Sequence, residues 1–392
     1  MNVDVLVVGG GPAGASAARF LSVKGIRTAL VEKNFSFHKP CGGGIPSAGL
    51  KELGLLEDIE KSISFNRIKK IKIVPPFSSP IEVDFVGGEI LIFNRADFDN
   101  FLRQKAKDSG AEVIEAELLD IRQLKDSFAS TVKNKNGENF KIISKYIIAA
   151  DGVNSRVCSL LAMEKPDFYW TVSLQLPEIL ISQRDTVEFW FGSSHASYFY
   201  SWVFPGRGYL SVGTGSENIR KVSLLIENFI QKRFSVSFQE IKNNCSVRLR
   251  AYRIPRWKKR EFFKDRILFC GDAMGFTMPV SFEGIYYAMK SGQFAAEAIG
   301  KDNPEIYAKL WNKRFLREFN IMKNFQDRMF GDDRKIDEWL NLHRDREIQQ
   351  LAMALWLRKE HGRQLLPLYL KAFQKFLLRL SLSKLKSVRG EV

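Results

Sequence analysis

Residues 3–14 read VDVLVVGGGPAG, and an acid, Glu32, stands eighteen positions past the last of these glycines. Residues 3–8 form a short apolar run of the kind that fills a buried strand. The loop Gly9-Gly10-Gly11-Pro12-Ala13-Gly14 follows at once, then helical sequence from Ala15 to about Lys24, then a second strand, RTALVE. In this context Gly9 permits a tight turn, Gly11 lets backbone approach a pyrophosphate, and Gly14 allows close helix–strand packing. The helix N-terminus offers free N–H groups and a positive dipole end to phosphates. Glu32, with Lys33 beside it, is placed to accept hydrogen bonds from an adenosine ribose, and it would repel a 2′-phosphate. The expectation is a dinucleotide site that disfavours NADP.

FAD and NAD share this fingerprint, so the rest of the chain must choose. Residues 266–292 read RILFCGDAMGFTMPVSFEGIYYAMKSG. A buried strand over 267–270 delivers Gly271-Asp272-Ala273, then a loop with Pro279, then a helix opening near Gly284 and Ile285. Asp272 can accept from the hydroxyls of a ribityl chain. The helix N-terminus can face the pyrimidine edge of a flavin, where reduction leaves negative charge. An NAD enzyme needs neither feature. Between these motifs lies YIIAADGVNSRV, whose strand ends in Asp151-Gly152. Together the motifs resemble the glutathione-reductase-like FAD fold shared by aromatic hydroxylases, halogenases and isoprenoid reductases. Arg95, in FNRADFDNFL, matches the arginine that such proteins place near the flavin. The fold expected is α/β in its FAD domain and α+β overall, and the cofactor expected is FAD.

Two further stretches bear on chemistry. HKPCGGGIP, residues 38–46, places Cys41 before three glycines, Gly42, Gly43 and Gly44, whose bare backbone suits a large flat ring. YFYSWVFPGRGYLSVGTG, residues 198–215, sets Tyr200, Trp202 and Phe204 at every second position, followed by Pro205 and then Gly213 and Gly215. Alternate side chains of a strand share a face, so this spacing predicts an aromatic wall. Here the chain resembles the geranylgeranyl reductase family, flavoenzymes that saturate isoprenoid double bonds, with its Y-x-W-x-F-P…G-x-G and K-x-C-G-G-G elements. The resemblance spans residues 1 to about 300. It implies that Tyr200, Trp202, Phe204, Pro205, Gly213 and Gly215 meet substrate, and that Cys41 holds or relays a proton. Two departures stand out. Phe282 occupies a loop that is small and glycine-rich in the family, and Phe199 stands where a glycine commonly precedes the tyrosine.

An isolated alkene has no carbonyl to accept electrons. A workable route delivers hydride from reduced flavin to one carbon and a proton to the other, and aromatic faces stabilise the developing tertiary cation. A flavin monooxygenase or halogenase is the rival reading, and a non-enzymatic flavoprotein a third. Only one dinucleotide fingerprint is visible, so the sequence does not identify the electron donor; an external one, of NAD(P)H or ferredoxin type, is expected. Substrates of the class implied by the resemblance are isoprenoids or lipids.

The remaining features set bounds. The chain has 392 residues, 45% hydrophobic and 27% charged, with a net charge of +16. Cys41, Cys158, Cys245 and Cys270 are scattered, which indicates neither a disulfide framework nor a metal site. No nucleic-acid module accompanies the positive charge. No uncharged apolar run reaches membrane-spanning length, and the chain opens on a strand, so a cytoplasmic protein is expected. Residues 351–392 carry nine Lys/Arg against Glu360 and Glu391. From Leu366, Tyr369, Leu370, Phe373, Phe376, Leu377 and Leu380 recur at helical spacing beside Lys371, Lys375 and Arg379. Such a helix either packs on the body or lies on the inner face of a membrane. The expected division is an FAD domain over 1–65, 95–165 and 255–300, a substrate sheet over 66–94 and 166–254, and a helical region over 301–392.

Overall fold

Val5, Leu6 and Val7 are closed to solvent because their strand, Asn2–Val8, is paired on both edges and covered on both faces. The computed structural model describes residues 1–244, 247–360, 365–368, 370, 371 and 374. On one side of the first strand lies Thr28–Glu32, and beyond it the start of Glu112–Gln123. On the other side lie the end of Asn139–Ala149 and then Ile267–Phe269. All four pairings are parallel, as expected for strands with both faces buried. The strands Glu112–Gln123, Phe128–Asn134 and Asn139–Ala149 continue outward as an antiparallel meander. Helix Pro12–Val23 covers one face and packs on helix Ile285–Gly300 at a glycine, Gly292, where a Cβ would fall 2.3 Å from the Ala13 carbonyl oxygen.

A second, seven-stranded sheet stands over this layer. Its order is Arg250–Pro255, Phe168–Leu176, Leu210–Ser216, Ser201–Pro205, Thr186–Trp190, Lys70–Val74 and Ile81–Asp84. Every pairing is antiparallel except that of Thr186–Trp190 with Lys70–Val74. The aromatic stretch therefore lies near the middle of the sheet, on Ser201–Pro205, with Tyr200 immediately before it. A small three-stranded sheet of Gly44–Pro46, Ile90–Phe93 and Phe65–Ile68 sits between the two large ones. It carries the end of the glycine loop to the underside of the aromatic strand.

Among the described residues beyond 300 the chain is mainly helical: Glu305–Trp311, Arg317–Met329, Asp333–Asn341 and Arg346–Ala352, with π-helical turns at Asn312–Leu316 and Met353–Leu357. These helices are part of the main body. Trp311 is fully buried and stacks on Phe276 at 3.4 Å between ring centroids, with Phe315, Phe319 and Tyr287 around it. Among the described residues no helix is long and apolar enough to cross a membrane. Trp311→Ala empties the centre of this cluster and should cost about 3–5 kcal/mol of unfolding free energy. Urea denaturation followed by far-UV circular dichroism measures it. A loss below about 1 kcal/mol would show that the helices are only loosely docked.

Candidate functional site

The glycine turn is built by backbone contact. Gly9 has φ +103°, and a Cβ on it would lie 2.3 Å from the Ala150 carbonyl oxygen. At Gly14 a Cβ would lie 1.9 Å from the Gly9 oxygen, so helix and turn touch main chain to main chain. A Cβ on Gly11, by contrast, would meet no protein atom within 4 Å, because it points into a cavity. Gly11 caps helix Pro12–Val23 with no side-chain hydrogen bond, which leaves the N–H groups of its first turn directed at that cavity. Glu32 Oε2 accepts from the Gly10 N–H at 2.8 Å and Oε1 from the Asn34 N–H at 3.1 Å, with Lys33 alongside on the cavity wall. Arg103 donates to the carbonyl oxygens of Gly10 at 3.2 Å and Phe35 at 3.0 Å, and burial lowers its pKa.

Arg103 was not foreseen from the sequence, although a signal existed. Arg95, Asp99 and Arg103 are spaced by four and fall on one face of helix Arg95–Asp108, beside the buried Phe98 and Leu102. All three are buried. Arg95 grips Asp99 with bonds of 3.0–3.1 Å and donates through Nη1 to Cys41 Sγ at 3.2 Å. Burial opposes the guanidinium charge, but the attraction of Asp99 and Cys41 outweighs it and raises the pKa. Cys41 Sγ also accepts from the Gly43 N–H at 3.3 Å. The sulfur thus sits at the head of the bare loop, held by two donors.

Lys39, two residues before the cysteine, is ion-paired with Asp272 and lies 5.5 Å from the Tyr252 ring centroid. This pair joins the Gly42–Gly44 loop to the Gly271-Asp272-Ala273 turn. Asp151 Oδ2 accepts from the N–H groups of Arg156 at 2.6 Å and Val157 at 3.0 Å, and burial pushes its carboxyl pKa up. Gly152 turns the chain beside Tyr252. Gly284 precedes helix Ile285–Gly300, again with no side-chain cap, and Pro279 opens the loop that leads to it.

The aromatic residues meet these loops from above. Tyr200, Trp202 and Phe204 all border the same cavity as Gly9, Gly11, Cys41 and the three loop glycines. Its volume is about 680 Å³. Trp202 lies over Gly213, where a Cβ would be 2.2 Å from the indole, and donates Nε1–H to Ser211 Oγ at 3.2 Å. Ser211 in turn donates to the Cys41 carbonyl oxygen at 3.2 Å. Phe204 lies over Gly42, with a Cβ position 2.2 Å from its ring. Phe199 lies over Gly215. The two strand glycines expected to touch substrate are instead seats for aromatic rings, and neither borders the cavity. Pro205 ends the strand outside it, with its carbonyl oxygen accepting from Asn66 Nδ2 at 2.9 Å. Burial pushes the Tyr200 phenol up, so it stays protonated and donates to the Ser281 carbonyl oxygen at 2.7 Å.

Sequence reading also missed Phe189, Thr277, Glu283 and Trp356 on the cavity wall. Glu283 is paired with Lys359 at 2.5 Å, and the lysine side chain is 2% exposed. Nothing local marks either residue, since the partners are 76 positions apart.

Do these residues fit FAD? The turn at Gly9 to Gly14, two uncapped helix N-termini and Glu32 form a cradle with a cavity-facing Gly11. Thr277 Oγ1 is buried at the cavity with no partner among the described residues, a polar atom that a bound polar group would satisfy. They fit. No cluster among the described residues has the composition to hold a metal ion.

Comparisons with known proteins bear out the FAD-binding fold. Residues 2–298 match the FAD binding domain family. Geranylgeranyl diphosphate reductase of Synechocystis sp. is 29% identical, covering 92% of this chain and 93% of that one. The chloroplastic geranylgeranyl diphosphate reductase of Oryza sativa subsp. japonica is 30% identical, covering 81% of this chain and 72% of its own. The crystal structure of a geranylgeranyl bacteriochlorophyll reductase-like protein from Thermoplasma acidophilum superposes with a TM-score of 0.75 at 25% identity, covering 94% and 99%. Gly11→Val would extend a side chain into the cavity, where a bound pyrophosphate would lie, from a Cβ that meets no protein atom within 4 Å. The expected result is a folded, colourless protein with an unchanged circular dichroism spectrum. A variant that still purifies with a full complement of FAD would refute this placement.

Proposed function

Since the chain belongs to the geranylgeranyl reductase family of FAD-dependent oxidoreductases, we propose that it saturates carbon–carbon double bonds of a geranylgeranyl-type isoprenoid chain. The observation that carries this reading is a single cavity whose floor is the nucleotide cradle and glycine loop and whose roof is Tyr200, Trp202 and Phe204. Bound FAD would supply the reducing electrons. The aromatic roof binds hydrocarbon, excludes water and stabilises positive charge on a substrate carbon, an attraction of about 0.5–2 kcal/mol per ring. Cys41, whose sulfur faces Arg95 and the Gly43 N–H, is the candidate to hold or deliver a proton at Sγ. Asp151, Asp272, Thr277, Glu32 and the uncapped helix ends are the groups that would hold the cofactor. Electrons would come from an external donor, of NAD(P)H or ferredoxin type.

The test is anaerobic. Protein reduced with dithionite is mixed with geranylgeranyl diphosphate, and products are weighed by mass spectrometry, two added hydrogens marking each saturated bond. Trp202→Ala should keep its FAD and lose tenfold or more in turnover, the factor that about 1.4 kcal/mol of lost cation–π stabilisation produces. Cys41→Ser keeps size but substitutes a hydroxyl, which holds its proton more tightly. It should be reduced normally by dithionite and then transfer slowly. A wild type that leaves the alkene intact under these conditions, and oxygenates substrate in air, would overturn the proposal.

An isoprenoid or lipid substrate must be met at or near a membrane. The apolar stripe starting at Leu366 supports a contact there: Leu366 and Leu370 are 57% and 54% exposed. Tyr369, Phe373, Lys375, Phe376, Leu377, Arg379 and Leu380 lie outside the described residues. Each Lys or Arg near an anionic surface contributes about 1 kcal/mol. Flotation with anionic vesicles should recover the full chain at low salt and release it at high salt. Deleting residues 364–392 should abolish flotation without loss of FAD. A full chain that ignores such vesicles at low salt would place the stripe against the protein body.

A further inference from the structure

The loop between Pro279 and Gly284 holds two side chains in a backbone region that suits glycine. Val280 has φ +74° and Phe282 φ +53°. In the left-handed region the Cβ crowds the neighbouring carbonyl, and the conflict is worst for β-branched and bulky residues. Such strain survives only where the surroundings enforce it. At Phe282 the enforcing contacts are visible. Its ring stacks on Phe199 with centroids 3.7 Å apart and planes at 26°. Tyr169 and Tyr200 meet it edge-on at 5.4 and 5.5 Å. Phe199 in turn reaches this position only because residue 215 is glycine, where a Cβ would fall 2.5 Å from its ring. The two positions that depart from the family pattern by being bulky are thus in contact with each other, one from the bend that leads into strand Ser201–Pro205 and one from the helix-leading loop.

Both rings border the cavity. Behind them Tyr169 and Phe330, the latter 6.4 Å from Phe282, are buried and do not border it. The stacked pair is therefore part of the cavity wall, backed by buried rings from the sheet and from the C-terminal helices. In other directions its apolar wall continues to Val187, Phe189 and Trp356.

Resting on the reading of this protein as an isoprenoid reductase, we propose that the Phe199–Phe282 pair is the end wall of the substrate cavity and sets the length of hydrocarbon chain accepted. A chain gains apolar contact with each isoprene unit until it reaches the rings. The next unit must displace a stacked pair that a strained backbone holds in place.

The experiment uses FAD-loaded wild type, Phe282→Gly and Phe199→Ala, the second opening the same wall without altering the flavin-side loop. The probes are the C20 prenyl diphosphate and the C25 homologue one isoprene unit longer, together with their fully saturated counterparts. Binding of the saturated pair is measured by calorimetry, and reduction of the unsaturated pair by mass spectrometry. Wild type should bind the saturated C25 chain about tenfold or more weakly than C20, the scale on which apolar pockets discriminate. Each variant should bring that ratio below about threefold with FAD retained, and reduction should follow the same ratio. If Phe282→Gly sheds its flavin, Phe199→Ala decides alone. Variants that keep the wild-type ratio, or a wild type that binds both lengths equally, would overturn the end wall. A ratio that shifts in the variants while wild type reduces neither chain would uphold the wall and remove the reductase reading.

Discussion

Three aromatic rings rest on bare Cα atoms, and the arrangement of the two large sheets depends on it. Phe204 lies on Gly42, Trp202 on Gly213 and Phe199 on Gly215, each at a spot where a Cβ would be 2.2–2.5 Å from the ring. The first contact spans the layers, seating the antiparallel sheet on the glycine loop of the cofactor domain. The second lies within the sheet, the third joins the bend before the aromatic strand to the sheet, and both rings border the cavity. Close packing makes such seats unforgiving, because a methyl group has nowhere to go between a ring and a backbone.

Around these seats, buried and half-buried charge ties separate elements together. Arg95 and Asp99 anchor Cys41, Lys39 and Asp272 join two loops, and Lys359 fastens the C-terminal helices to Glu283. Buried pairs of this kind contribute little net stability, since desolvation offsets most of the attraction, but losing one partner strands the other. Their consequence here is positional. Cys41, Asp272 and Glu283 all border the cavity, and each is held by a cation from another part of the chain. The C-terminal helices are therefore a wall of the site as well as a stabilising layer, through Trp356, Lys359 and the Trp311 cluster.

The strained loop at 279–283 links the same parts. It leads into the helix whose uncapped N-terminus faces the cavity, while Phe282 leans on the sheet and Tyr200 bonds the Ser281 carbonyl oxygen. Tyr200 thereby contributes to the roof and braces the loop. The aromatic roof, the loop and the cofactor end are mechanically one unit.

How much of this was legible in the sequence follows from distance along the chain. The turn at Gly9 to Gly14, the strand ending at Glu32, the Gly271-Asp272 turn and the helix from Ile285 are local patterns of strand, glycine and helix, so the fold class and FAD could be read from short windows. The Tyr200–Trp202–Phe204 alternation is local too, and all three rings reach the cavity. The roles of Gly213 and Gly215 were not legible, because a glycine opposite an aromatic reads the same whether it admits substrate or seats a ring. Arg103 left a trace in its spacing of four from Asp99. Trp356 and the Lys359–Glu283 pair left none, and Phe199 and Phe282 stood out singly without showing that they stack on each other. Their partners are brought together by the packing of whole layers, and no periodicity along the chain encodes which distant residue a buried ring or charge will meet.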